Sequence, residues 1–156
     1  MIRTASLEQA ELAIIGAGCA GLSLARQLVR TEKTSSIKAC LYGPVSPATT
    51  NRHSWGFWAT QGLKEQTELA RQRWHKWQII TAERKITQTA VLHPYCRLDS
   101  RDWLTHCLNI IDGNIQQEPN NLPKPGAHPV FDSRPPNVPD GAMLQHFKGC
   151  LLYTSP

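Results

Sequence analysis

An apolar run, Leu12-Ala13-Ile14-Ile15, passes directly into Gly16-Ala17-Gly18-Cys19-Ala20-Gly21 and then into Leu22-Ser23-Leu24-Ala25-Arg26-Gln27-Leu28-Val29. Read in order, these are a strand, a tight turn and a helix. Gly16 permits the sharp turn, Gly18 leaves no side chain between backbone and a pyrophosphate, and Gly21 lets the helix lie close on a sheet. Ala20, Leu24, Ala25 and Leu28 recur at the spacing of a buried helix face. After a polar break over residues 31–36, Ile37-Lys38-Ala39-Cys40-Leu41-Tyr42 reads as a second strand ending at Gly43-Pro44. Together they make a βαβ unit of about thirty residues. The free N–H groups and positive dipole end of such a helix face the turn, so Gly16, Ala17, Gly18, Cys19, Ala20 and Gly21 are the expected binding residues for an anionic dinucleotide. A purely structural glycine turn is the competing reading.

The same fingerprint asks for Asp or Glu near the end of the second strand, where it would hold the ribose hydroxyls. Tyr42-Gly43-Pro44 stands there instead, and no carboxylate occurs between Glu32 and Glu65. Ribose is then left to backbone, water or a polar neighbour such as Asn51 or Arg52. Arg52 could pair with an extra phosphate, but that gives no ground for preferring NADP.

The 156 residues suffice for one domain of ordinary size, and 40% hydrophobic content can supply its core. Seventeen Lys and Arg against twelve Asp and Glu leave a formal charge of +5, which suits an anionic ligand, nucleic acid or an acidic membrane surface without choosing among them. The five cysteines show no CxxC spacing and the six histidines no HxxxH pair, so neither a disulfide framework nor a metal site is expected. No apolar run approaches the ~18 residues of a membrane span, and residues 1–11 carry acids in place of a basic leader. The chain reads as neither exported nor membrane-spanning.

Beyond the first unit, residues 44–51 read as a surface loop before the half-buried stretch Trp55-Gly56-Phe57-Trp58. Leu63, Thr67, Ala70, Trp74 and Trp77 follow helical spacing, with Lys64, Arg71, Arg73 and Lys76 mostly off that stripe, which predicts an amphipathic helix. Two β-like runs follow at residues 78–81 and 86–92, closed by Pro94-Tyr95. A helix then begins near Asp99 or Ser100, either able to cap it, and turns Trp103, Leu104, Cys107, Leu108 and Ile111 inward. Residues 112–129 hold no secure periodic element. Val130-Phe131-Asp132 is a last short strand, after which Pro135 and Pro136 require an extended or turn conformation. Residues 143–149 are uninformative by themselves, and no internal repeat is present.

Several of these stretches go beyond a generic fingerprint. The opening from Ala13 through Gly16-Ala17-Gly18-Cys19-Ala20-Gly21 to Ala25 resembles that of the bacterial lycopene cyclase family of flavoproteins. Asn51-Arg52-His53-Ser54-Trp55-Gly56-Phe57-Trp58 is similar to the family's His-Thr/Ser-Trp-x-Phe-Trp segment. Tyr95-Cys96-Arg97-Leu98-Asp99-Ser100 resembles its Tyr-x-x-Leu-x-Ser region. Phe131-Asp132-Ser133-Arg134-Pro135-Pro136 and Gln145-His146-Phe147-Lys148-Gly149 resemble two further motifs, and the shared order argues against coincidence.

The resemblance implies an α/β, Rossmann-like FAD/NAD(P)-binding core over residues 1–149, incomplete because these residues correspond to only the N-terminal part of a longer family chain. It also implies FAD, reduced by NAD(P)H, and non-redox cyclisation of the ends of lycopene or a related polyene to β-rings. The implied setting is cytoplasmic, with peripheral contact at the inner face of the membrane and no nucleic acid. The family's catalytic acids belong to motifs downstream of Gly149, so no catalytic residue is assigned here, and the fragment is expected to be inactive and to fold poorly alone. Asp132 and Arg134 would either serve the flavin region or simply shape a turn. Trp55, Phe57 and Trp58 would line a polyene channel or pack a core. The basic segment 64–77 would meet a lipid surface or pack as a surface helix. Cys19 reads as a small side chain fitted to close packing.

Two departures stand out. The connection from Ile111 to Val130 is shorter than in the family, as an internal deletion would leave it. Residues 150–156, Cys150-Leu151-Leu152-Tyr153-Thr154-Ser155-Pro156, resemble nothing in the family and read as the translation of a transposase-type adapter, TGT CTC TTA TAC ACA TCT, hence as a non-native tail. The competing functional readings are a non-catalytic dinucleotide-binding module and a generic Rossmann flavoprotein oxidoreductase, the latter disfavoured by the four additional cyclase-like stretches.

Overall fold

The computed structural model describes residues 10–31, 36–44, 53–124, 126 and 128–134. The expected loop at 44–51 lies almost wholly outside them. Pro135 and Pro136, residues 143–149 and the tail 150–156 lie outside them as well.

The βαβ unit is present. Strand β1 (Leu12–Ile15) leads through the glycine turn into helix α1 (Cys19–Arg30), and strand β2 (Ala39–Tyr42) returns parallel to β1, with Ile14 opposite Leu41. Period-two alternation sends Ile14 and Leu41 to one face of the sheet and Ala13, Ile15, Cys40 and Tyr42 to the other. All six are buried. Parallel strands covered on both faces read as unbroken apolar runs, which is why these two were visible in the sequence.

Gly21, Leu22, Ala25, Arg26 and Leu28 form the buried side of α1. Ala20, expected inward, is exposed, and Leu24 is only half-buried. The helix is rotated so that Gly21 sits against the turn, which carries Ala20 outward by one position.

Strand β3 (Ser54–Trp58) follows the undescribed connection. From Leu63 to Trp77 the structure corrects the expected amphipathic helix. A 3-10 turn at Gln61–Leu63 opens into a single short helix, α2 (Lys64–Glu68). The chain then extends into β4 (Gln72–Trp74) and β5 (Lys76–Ile80). Trp74 lies opposite Tyr95 in a ladder, with ring centroids 6.2 Å apart, and Trp77 packs edge-on to Trp58 at 5.6 Å. Tertiary pairing of these large side chains overrides a helical spacing whose own propensity contribution is small.

β5 pairs with β6 (Lys85–Thr89) as an antiparallel hairpin, close to the two expected runs. Pro94 does not close that region. The chain continues as β7 (Tyr95–Asp99), the unexpected central strand of an antiparallel sheet ordered β3-β7-β4. Asp99 then caps α3 (Ser100–Ile111), its carboxylate accepting from the Arg101 N–H at 3.0 Å. Trp103, Leu104, Cys107 and Ile111 are buried as expected, while Leu108 is half-buried.

Two short strands complete the parallel sheet. β8 (Gln116–Glu118), in a segment with no expected element, lies parallel to β2, and β9 (Val130–Asp132) lies parallel to β1, giving the order β8-β2-β1-β9. α1 and α3 pack together over one face, where Ile14, Leu22, Leu41, Leu98, Trp103 and Ile111 form the main core. Burying each such side chain contributes roughly 1.5–3 kcal/mol, more than most surface ion pairs contribute. The architecture is mixed α/β with a parallel sheet. Among the described residues no helix is long and apolar enough to cross a membrane.

Candidate functional site

The C-terminal ends of β1, β2 and β9 converge on the glycine turn. Gly16 has φ 98°, in the left-handed region that favours glycine. A Cβ on Gly16 would stand 2.5 Å from Ser133 Oγ, and one on Gly21 would overlap the Gly16 carbonyl oxygen. Gly18 differs from both: it caps α1 in an extended conformation, and a Cβ there would meet nothing within 4 Å. The first turn of α1 carries no acid. Its N–H groups, with no side-chain cap, and the positive end of the helix therefore open onto free space at Gly18, beside exposed Cys19 and Ala20, an arrangement whose charge suits an anion. All six expected residues are together at this one place.

Sequence reasoning missed what holds the cradle. Ser133, just past β9, donates its N–H to the Ile15 carbonyl at 2.9 Å, and its hydroxyl lies 2.9 Å from that oxygen and 3.2 Å from the carbonyl oxygen of Gly16. The turn is thus stapled from a residue 117 positions away. Period-two reading of residues 130–132 ends one residue short of it, at the start of the segment that the prolines turn out of the strand.

Asp132 and Arg134 flank that staple. The Arg134 Nη2 lies 2.6 Å from Asp132 Oδ2, and Nε lies 2.9 Å from Oδ1. Hydrogen bonds from the Arg134 side chain and backbone hold the Asp132 carboxyl down at about 2. The pair shapes the turn beside Gly16, with Arg134 Cγ 3.6 Å from where a Gly16 Cβ would be.

On its other side the helix start opens into an apolar-walled cleft of 350 Å³ lined by Cys19, Ser23, Trp55, Phe57, Leu98 and Trp103. Alternation along β3 decides which aromatics reach it. Trp55 and Phe57 face the cleft, whereas Trp58 lies on the opposite face at 5.0 Å from the Tyr95 ring. The three residues therefore do not line one channel. Trp103 donates from Nε1 to Ser23 Oγ at 2.9 Å, tying α3 to α1 beneath the cleft. Cys19, expected in close packing, is exposed at the cleft rim. Burial pushes the Cys107 thiol, behind the cleft, up to about 12, so it stays protonated.

Glu65 on α2 organises the back of this region. Its Oε1 binds Arg26 and, at 2.6 Å, Arg30, while Oε2 lies 2.9 Å from His106 Nε2. Arg26 also lies over the Trp103 ring at 5.1 Å. Partial burial pulls the Glu65 carboxyl up, but hydrogen bonds from Arg26 and His106 and the charges of Arg26 and Arg30 outweigh it and hold the group below its ordinary value. Four charged or polar side chains thus fasten α1, α2 and α3 together. Asn51 and Arg52, the expected ribose partners, lie outside the described residues. Among the described residues, no group of three or more His, Cys, Asp or Glu is placed to hold a metal.

The chain is similar to a mutant of P. aeruginosa PqsL of known crystal structure, with a TM-score of 0.53 at 14% identity over 69% of this chain. It spans 32% of that chain, about a third of its length, and the likeness is one of fold. No curated protein matches it. The family model described as "Lycopene cyclase protein" matches residues 11–111. Since that span takes in the glycine turn, β3 with its aromatic residues and all of α3, well over half of the sequence, the chain belongs to the lycopene cyclase family.

Proposed function

We propose that this chain is the Rossmann-like, FAD-binding N-terminal part of a lycopene β-cyclase-like enzyme of carotenoid biosynthesis. The observation that carries the reading is the start of α1, uncapped and without an acid, set against a turn in which Gly18 faces open space. The N–H groups of Gly18, Cys19 and Ala20 bind the pyrophosphate, while Gly16 and Gly21 let the turn close tightly enough to aim them. Trp55, Phe57, Leu98 and Trp103 wall the adjoining cleft, exclude water and offer aromatic faces suited to a polyene end. When bound in its form reduced by NAD(P)H, FAD supplies negative charge that stabilises the carbocation produced on protonating a terminal double bond of lycopene. Proton gain and later proton loss leave no net redox change, and the acid that gives the proton belongs to family motifs outside this chain's assigned residues.

Peripheral contact with the inner face of the membrane is supported by the hairpin β5–β6. Ile79, Ile80 and Ile86 are exposed there, in a segment that also carries Lys76, Arg84 and Lys85. Apolar tips beside cations suit an anionic bilayer surface from which a carotenoid would be drawn.

Two measurements test the proposal. Titrating FAD into the purified chain is expected to quench flavin fluorescence, and a full-length relative bearing this N-terminus is expected to form β-carotene in lycopene-accumulating cells. A chain with a cooperative thermal melt that is indifferent to flavin, or a full-length relative purified without flavin, overturns the reading. Flavin binding without product would favour the non-catalytic module instead.

A further inference from the structure

We propose that Glu118 is the carboxylate that holds the adenosine ribose of the dinucleotide, replacing from β8 the acid that β2 lacks. The inference rests on the dinucleotide reading above. Position 43, directly after β2, is where the fingerprint places that acid. Gly43 fills it with φ 118° and no side chain, and a Cβ there would lie 3.7 Å from Gly16 Cα and 3.8 Å from Ala17 N, hard against the phosphate turn. The ribose position is thus beside the cradle, and its usual partner is gone.

Glu118 is the nearest carboxylate along the sheet edge. β8 runs parallel to β2 with Tyr42 opposite Glu118, and the Gly43 N–H donates to the Glu118 carbonyl at 3.1 Å. Both strands therefore end at the same level, one strand spacing of about 4.8 Å apart. A Glu side chain is long enough to reach back across that gap toward a sugar lying over the ends of β2 and β8.

The side chain is held by its own segment and ionised. Gln116 Nε2 donates to Glu118 Oε1 at 3.0 Å, and Asn121 Nδ2 donates to Oε2 at 2.9 Å. Those two bonds, Gln116 first, hold the carboxyl below its ordinary value. A carboxylate has about four acceptor positions. The two amides use one on each oxygen, which leaves one on each for the two hydroxyl donors of a ribose cis-diol.

The test compares FAD with its 2′,3′-dideoxyadenosine analogue, each titrated by flavin fluorescence into the wild-type chain and into Glu118→Gln. The wild type is expected to bind FAD about tenfold more tightly than the analogue, as a charge-assisted hydrogen bond implies, and Glu118→Gln to bind the two equally. If the wild type makes no distinction, or if the variant keeps it, the assignment of Glu118 is wrong. If the variant weakens both ligands by the same factor and the preference survives, Glu118 is structural only, and the assignment again fails. Failure of wild type with a cooperative thermal melt to bind either flavin overturns the dinucleotide reading itself, a separate result.

Discussion

Three glycines within six residues serve different physical ends, and substitution separates them. A methyl group at Gly21 overlaps the Gly16 carbonyl, so α1 must shift away from the turn. Gly21→Ala is expected to destabilise the chain by about 2–4 kcal/mol, as overpacking against backbone does, read by urea unfolding followed through tryptophan fluorescence. At Gly18 the same methyl group enters open space, and φ −86° suits any residue. Gly18→Ala is expected to leave stability within about 1 kcal/mol while weakening FAD about tenfold, because the methyl group stands where the phosphate must approach. Equal flavin affinity in Gly18→Ala would show that the open space is not the phosphate site. These assignments could be written down from spacing alone, since each follows from what lacks a Cβ. The roles of Ser133 and Glu118 could not. Both act through strands paired from more than seventy residues away, and such pairing leaves no local pattern.

Elements were legible where burial was two-sided or a cap was present. β1, β2 and α3 fall close to their expected bounds because apolar runs and Asp99 announce them. β8 failed for the opposite reason: Gln116-Gln117-Glu118 is polar throughout and is held by backbone pairing to β2. β7 was readable in principle, since Cys96 and Leu98 are buried while Tyr95 and Arg97 are half-buried, but Pro94 drew attention to a stop. The short α2 survives within the misread segment because Glu65 fastens it. Glu65→Gln leaves Arg26, whose side chain is only 10% exposed, without its counter-charge. Unpairing a fully buried ion pair costs about 3–5 kcal/mol, but Glu65 is 25% and Arg30 48% exposed, so about 1–2 kcal/mol is expected here. Amides of α1 should then exchange roughly tenfold faster with solvent deuterium. The sign with pH is set by the lowered carboxyl. Its stabilisation is complete above the ordinary value of 4.5 and fades as pH falls through the lower folded value. The variant should therefore differ from wild type at neutral pH and converge with it in acid, and a constant difference across that range would show that charge is not what Glu65 contributes.

At the scale of the whole molecule, the helical layer among the described residues is narrower than the sheet it covers. Ile14 on β1 is fully buried beneath α1 and α3, yet Phe131, its register partner on β9, is 39% exposed, while on the other face Val130 is 50% exposed. The cover runs out one strand beyond the centre. β9 is also an end strand of the sheet among the described residues, so its outer backbone edge and its apolar side chains are presented together. Unblocked edges of that kind template pairing with another chain, and proteins commonly guard them with an inward or exposed lysine. The 156-residue chain is therefore expected to self-associate in a concentration-dependent way, seen by sedimentation velocity. Phe131→Lys should restore a monomer at the same concentration, because the ammonium cannot be buried against a second β9 without its water. Phe131 stands beside Ile14 on the same face but outside the buried core that α1 and α3 cover, so the unfolding midpoint should move by less than that of Gly21→Ala. Self-association that persists unchanged in Phe131→Lys would place the sticky surface elsewhere, with the exposed Ile79, Ile80 and Ile86 of the β5–β6 hairpin next to be tested.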